Sequence, residues 1–169
     1  TVFSYGIFLI VMLGYPFFAA SLRRKALALI DGSGVRVSET QFQEIHRSVT
    51  SLIHRLGIKK EVVVYIVEAN VMNAAAVRYG KTNIILLTDD LIHGALASGN
   101  PHTLSFVLAH ELAHIALNHN GIIRSWIGNS MKRLSRLDEY SADAIALALV
   151  GSRTIARKGI LMLTVGHTL

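Results

Sequence analysis

The chain contains no cysteine. That excludes a disulfide framework, a cysteine-ligated zinc ribbon and a thiol nucleophile. Proline is scarce, with 2 residues in 169 against 13 glycines, which excludes collagen-like and proline-rich sequence. Charge is scarce as well. Only 17% of residues are charged while 51% are hydrophobic, so intrinsic disorder is excluded. A mean hydropathy of +0.44 is too apolar for an ordinary soluble domain and points to a membrane segment. The length gives room for one domain plus a tail, not for two full domains.

The charge that is present is unevenly placed. Lys and Arg number 17 against 11 Asp and Glu, a net of +6. No charged residue occurs before Arg23, Arg24 and Lys25, and a second basic group comprises Arg124, Lys132, Arg133 and Arg136. The basic residues form no long run and have no interleaved aromatic motif. They are read as a solvated or lipid-facing surface, and no nucleic-acid partner is expected.

From Val2 to Ala20 there are 19 residues without a charge. As a helix they would span roughly 28 Å, at about 1.5 Å per residue, close to the hydrocarbon thickness of a bilayer. Tyr5, Tyr15, Phe17 and Phe18 suit lipid and interfacial contact. A cleavable signal peptide would want a basic segment before the apolar run, but here the basic cluster follows it. The expectation is one N-terminal transmembrane helix with its basic flank over residues 1–25, and a single folded domain over residues 26–169. The positive-inside rule puts that domain on the cytoplasmic side of a single-pass membrane protein in contact with lipid.

The rest of the chain reads as a mixed α+β domain. Asp31 to Gly34 is expected to be a flexible break. Ser38 and Gln41 resemble a capping box before a helix carrying Phe42, Ile45, Val49, Leu52, Ile53 and Leu56, which Gly57 ends. Glu61 to Glu68 is predicted as a strand, and Ile84 to Leu87 as a second, short one. Asp89 or Asp90 is expected to cap a short helix over Leu91 to Ala97. Further helices are predicted from His102 to Asn118, from Leu134 to Val150 with Gly151 as the stop, and from Arg153 to Val165. This order implies α+β with a small sheet.

His110-Glu111-Leu112-Ala113-His114 is an HExxH motif inside a predicted helix. Residues i and i+4 share a helix face, so both imidazoles can reach one Zn²⁺. Glu111 lies next round the helix, where it can take a proton from water and later pass one to a leaving amine. Flanks this apolar argue for a buried helix rather than an exposed one, and buried His and Glu need partners. A catalytic zinc needs a third protein ligand and an open position. His119, Asp138, Glu139, Asp143 and His167 qualify. Glu139 is attractive because Asp143 falls on the same helix face, four residues on, where it can orient a ligating histidine.

HELAH, then His119, then Ser135-Arg-Leu-Asp-Glu-Tyr-Ser-Ala-Asp143 resembles the membrane-anchored zinc metallopeptidases of the HtpX and CAAX prenyl endopeptidase type. The resemblance implies a zincin-like gluzincin fold with one zinc ion per chain, ligated by His110, His114 and Glu139. It makes Glu111 the base and sets Asp143 behind a ligating histidine. His119 matches a histidine frequent in that family, and carries no assigned role. The segment from Asn73 to Leu91 matches the family's edge strand over the cleft, which implies that a protein or peptide substrate pairs there, with Asn73 and Ala74 as substrate contacts. Arg153 and Arg157 are possible matches to the family's transition-state arginine. The implied activity is endopeptidase action on membrane-associated or misfolded proteins. Two alternatives are an ImmA/IrrE-like regulatory peptidase and a non-catalytic, membrane-tethered zinc-binding scaffold.

Overall fold

The computed structural model describes residues 34–79, 81–97, 102–119 and 132–165, with scattered positions between 14 and 33. The chain forms two compact units, Thr1–Gly34 and Val35–Leu169. In the first unit the described positions before Gly34 are helical, Gly32 and Ser33 included. Of the break expected over Asp31 to Gly34, Asp31 lies outside the described residues, Gly32 and Ser33 are helical, and Gly34 is a bend whose N–H donates to the Ile30 carbonyl at 2.6 Å. The expected membrane span from Val2 to Ala20 lies almost wholly outside the described residues. Among those described, no helix is long and apolar enough to cross a membrane.

The second unit is α+β. It runs β1 (Val35–Arg36), α1 (Gln43–Leu56), β2 (Val62–Val67), β3 (Ala74–Tyr79), β4 (Thr82–Thr88), α2 (Asp89–Ala97), α3 (His102–Ala116), α4 (Lys132–Val150) and α5 (Arg153–Val165). The strands form one sheet in the order β1-β2-β4-β3. β2 and β4 are parallel, with Val64 opposite Ile85, and the outer pairs are antiparallel, with Ala76 opposite Ile85. β4 is buried on both faces, as a central strand is: Asn83, Ile84, Ile85 and Leu87 are all inside. It is longer than the short strand expected over Ile84 to Leu87 because its ladder with β3 extends it to Thr82 and Thr88. β3 is alanine-rich and forms an edge. Its small side chains let α3 pack closely against it.

α1 buries Ile45, Val49 and Leu52 along one stripe. It ends as the sequence predicts: Gly57 takes a left-handed conformation (φ 63°), and Gly57 and Ile58 return their N–H groups to His54 and Ile53. Its start differs. Ser38 and Gln41 exchange backbone hydrogen bonds at 2.8 and 3.2 Å and close a turn. The helix then begins after Phe42, which is left-handed and makes no side-chain cap, so the expected capping box does not form. The cap of α2 differs as well. Thr88 Oγ1 accepts the Leu91 N–H at 3.4 Å, and Asp89 and Asp90 occupy the first turn, where negative charge suits the helix dipole.

α3 is the centre of the domain. Phe106, Val107, Leu108, Ala109, Leu112, Ala113 and Ile115 are all inside, so the helix is apolar on every side. It packs against α1, α2, α4, α5 and β3. The α5 contact requires a glycine. A Cβ at Gly159 would fall on the Phe106 ring, 3.0 Å from Cγ.

Candidate active site

Because α3 is wrapped by other elements, its polar residues at 110 and 111 are buried, while His114 near its last turn reaches the surface in part. The two imidazoles meet edge-on, with ring centroids 4.7 Å apart. Their Nε2 atoms face each other at 3.1 Å. From α4, Glu139 sets Oε2 3.3 Å from His110 Nε2 and Oε1 3.6 Å from His114 Nε2. Three donors from two helices thus converge, one ligand atom from each lying within 4.8 Å of the others.

The donor set fits a zinc ion. His110 Nδ1 is 2.9 Å from Asp143 Oδ1. A ring nitrogen beside a carboxylate carries the proton, so the neutral ring presents the lone pair of Nε2 to the site. His114 Nδ1 is likewise engaged, 3.1 Å from His119 Nδ1. Two imidazole lone pairs at 3.1 Å beside a carboxylate need a cation between them. Ligands about 2.0–2.1 Å from a tetrahedral zinc are separated by about 3.3 Å; the two Nε2 atoms are 3.1 Å apart, and one Glu139 oxygen lies 3.3 Å from His110 while the other lies 3.6 Å from His114. Glu139 is more than half exposed, so the site is open on the α4 side, as a catalytic rather than a structural centre requires.

The electrostatics agree with this chemistry. Burial alone would depress the pKa of His110, but the hydrogen bond to Glu139 and the charges of Glu111, Asp143 and Glu139 outweigh it and raise the value above 6.5. Hydrogen bonds from His110 and His114 hold the Glu139 carboxyl far below its ordinary range. Glu111 behaves oppositely. Burial raises its pKa above 4.5, against the pull of both histidines and of a hydrogen bond from the Ala76 N–H. A carboxyl next to the candidate metal site, its pKa raised by burial and its oxygen held by β3, is equipped to take up and return a proton.

The remaining residues singled out in the sequence have distinct positions. Asn73 turns inward on the chain. Its Oδ1 accepts the Ala74 N–H at 2.9 Å, and its backbone pairs with Thr88, which pins the start of β3 to the end of β4. Arg153 and Arg157 line a groove on α5 with Leu147, Ala156, Ile160 and Leu161, a set that contains none of the site residues. The functional parts that sequence reasoning missed are the Ala76 N–H on Glu111 and the partner of His119. His119 Nε2 lies 3.4 Å from Asp138 Oδ1, so Asp138 faces a histidine instead of the metal position. The available signal was Asn118, a residue tolerant of left-handed geometry just past a helix.

No curated protein matches the chain. The sequence model of peptidase family M48 matches residues 39–131. That stretch holds α1, strands β2 to β4, α2 and the HExxH helix, and it ends before α4. Glu139 and Asp143 therefore join the site through geometry alone. With over half of its length matched, and with two histidines and a glutamate gathered as a metallopeptidase requires, the chain belongs to peptidase family M48.

Proposed function

We propose that the protein is a zinc-dependent endopeptidase with one zinc per chain, and that its substrates are membrane-associated or misfolded proteins. The observation that carries this reading is the convergence of His110, His114 and Glu139 at 3.1–3.6 Å beside the buried Glu111. When bound, zinc supplies a Lewis acid and lowers the pKa of water. Glu111 takes a proton from the attacking water as the new carbon–oxygen bond forms. It then passes that proton to the departing amine nitrogen as the carbon–nitrogen bond breaks. The raised pKa of Glu111 favours the second transfer, and the Ala76 N–H keeps its carboxylate aimed. Asp143 holds His110 in the tautomer that leaves Nε2 free to ligate.

Among the described residues β3 pairs with β4 alone, so its other edge can receive an extended peptide through backbone hydrogen bonds. Asn73 contributes by fixing where that edge starts. The apolar run from Val2 to Ala20 and its basic flank support a membrane anchor that keeps the site beside the bilayer on the cytoplasmic side.

The test is cleavage of casein by the full chain in detergent with zinc, comparing wild type with Glu111→Gln. Loss of the base is expected to reduce the rate by about 10²–10⁴-fold while zinc stays bound. Equal cleavage by both proteins would remove the assignment.

A further inference from the structure

α3 ends in a turn that determines where His119 lies. Along a continuing helix, a residue five positions after His114 would sit about 140° round the axis, away from the ligand face. The helix does not continue. Asn118 takes a left-handed conformation (φ 58°). Its N–H returns to the Ile115 carbonyl at 3.1 Å, and the His119 N–H returns to the His114 carbonyl at 2.9 Å. This pair of bonds is a Schellman cap, and it folds His119 back over His114. Asn118 Oδ1 accepts from both Lys60 Nζ and Arg78 Nη1 at 3.1 Å, which anchors the turn to the loop before β2 and to β3.

The side chains then form a line. His114 Nδ1 and His119 Nδ1 are 3.1 Å apart, and His119 Nε2 is 3.4 Å from Asp138 Oδ1. Both outer members are sheltered, with side-chain exposures of 9% for His119 and 11% for Asp138. The carboxylate of Asp138 puts the His119 proton on Nε2. His119 Nδ1 is then an acceptor, and the proton between the two rings belongs to His114 Nδ1. This leaves the lone pair of His114 on Nε2, toward Glu139 and His110. His119 approaches His114 from the Nδ1 side, opposite the ligating atom, so it is not itself a ligand.

We infer that His119 and Asp138 are positioning residues for His114, fixing its tautomer and ring orientation through a two-residue line where Asp143 serves His110 directly. The inference rests on the metal-centre reading above. Asp138, Glu139 and Asp143 all lie on α4, so a single helix supplies one ligand and sets both imidazoles. A shift of α4 would disturb the three donors together.

The experiment is zinc affinity by chelator competition on the full chain in detergent, with the visible bands of the cobalt-substituted protein as a second readout. His119→Ala is expected to weaken zinc binding by about 10–100-fold and to alter the cobalt bands. His119→Asn, whose Oδ1 takes the place of Nδ1, is expected to restore most of the affinity. Asp138→Ala is expected to weaken binding in the wild type and to add nothing in the His119→Ala background, because it acts through His119. Wild-type affinity and bands in His119→Ala would overturn the inference. An undiminished Asp138→Ala penalty without His119 would do the same. If His119→Ala does not fold, wild-type affinity in Asp138→Ala overturns it alone. Failure of the wild type to bind zinc would instead defeat the metal-centre reading.

Discussion

α3 and α4 face each other across the site and hold their functional groups by opposite means. α3 is enclosed, and packing fixes His110 and Glu111: the residues flanking them, Ala109 and Leu112, have no exposure at all. Among the described side chains in the first half of α4, Arg136, Leu137, Glu139, Tyr140 and Ser141 are exposed and Asp138 is buried. Its acids are placed by the histidines they face. One side of the centre is therefore part of the core, and the other is a charged surface held against it. Damage to α3 should cost the fold first, whereas damage to α4 should cost the metal first.

The largest expected effect tests the α3 half. Phe106→Ala removes a fully buried ring at the α3–α5 contact and should destabilise the domain by about 3–5 kcal/mol, measured by denaturant unfolding of the metal-free protein. Glu139→Gln tests the α4 half. It should weaken zinc binding by more than the roughly 10–100-fold that a lost outer-shell partner costs. Metal-free stability should fall by less than in Phe106→Ala, because this side chain is more than half exposed and solvent screens its pairing with the histidines. If both variants lost fold and metal in equal measure, the contrast between the helices would not hold.

A pH series sharpens the same comparison. In the metal-free domain, His110 has a folded pKa raised above 6.5 and Glu111 one raised above 4.5. Both contribute stability that is lost as pH rises through those folded values. Glu139 is lowered below 4.5, so its contribution is present above that pH and lost as pH falls through its folded value. The His110 contribution is fully present below its unfolded value of 6.5, so metal-free stability should decline as pH rises above about 6.5, through the folded His110 titration. Zinc requires the unprotonated ring, so the gain in melting temperature on adding zinc should grow over the same range. A zinc-induced gain that shrinks as pH rises would contradict the assignment of His110.

The smallest expected effect concerns the turn that ends α3. Asn118→Ala places a β-carbon in left-handed geometry and loses the contacts to Lys60 and Arg78, at a cost of about 1–2 kcal/mol in denaturant unfolding. Asn118→Gly relieves the backbone and should be the milder change. An Ala variant as stable as wild type would show that the turn is not strained.

What the sequence disclosed follows the range of the interactions involved. His110, Glu111 and His114 were legible because an i, i+4 pair meets on one helix without help from the rest of the chain. α1 and its Gly57 stop were legible for the same local reason. Glu139 needed the resemblance as well as its spacing, since only the packing of α4 on α3 brings it to the histidines. The pairing of His119 with Asp138 was not legible. It depends on the left-handed Asn118, whose residue type signals a turn but not what the turn brings together, and on that same helix contact, which leaves no pattern in residue types. β3 lacks the β-branched signature of a strand, because its alanines are chosen for the close approach of α3. The α2 cap was misassigned to Asp89 or Asp90 since Thr88 reads as the end of a strand, and it serves both elements.

The most direct test of the central claim is X-ray absorption at the zinc edge on the full chain, loaded with zinc and freed of excess metal. The account predicts one zinc per chain, with two imidazole nitrogens and carboxylate oxygen at about 2.0–2.1 Å, and the imidazole signal should be lost in a His110→Ala, His114→Ala double variant. Zinc bound without imidazole scattering, or bound equally by the double variant, would contradict it.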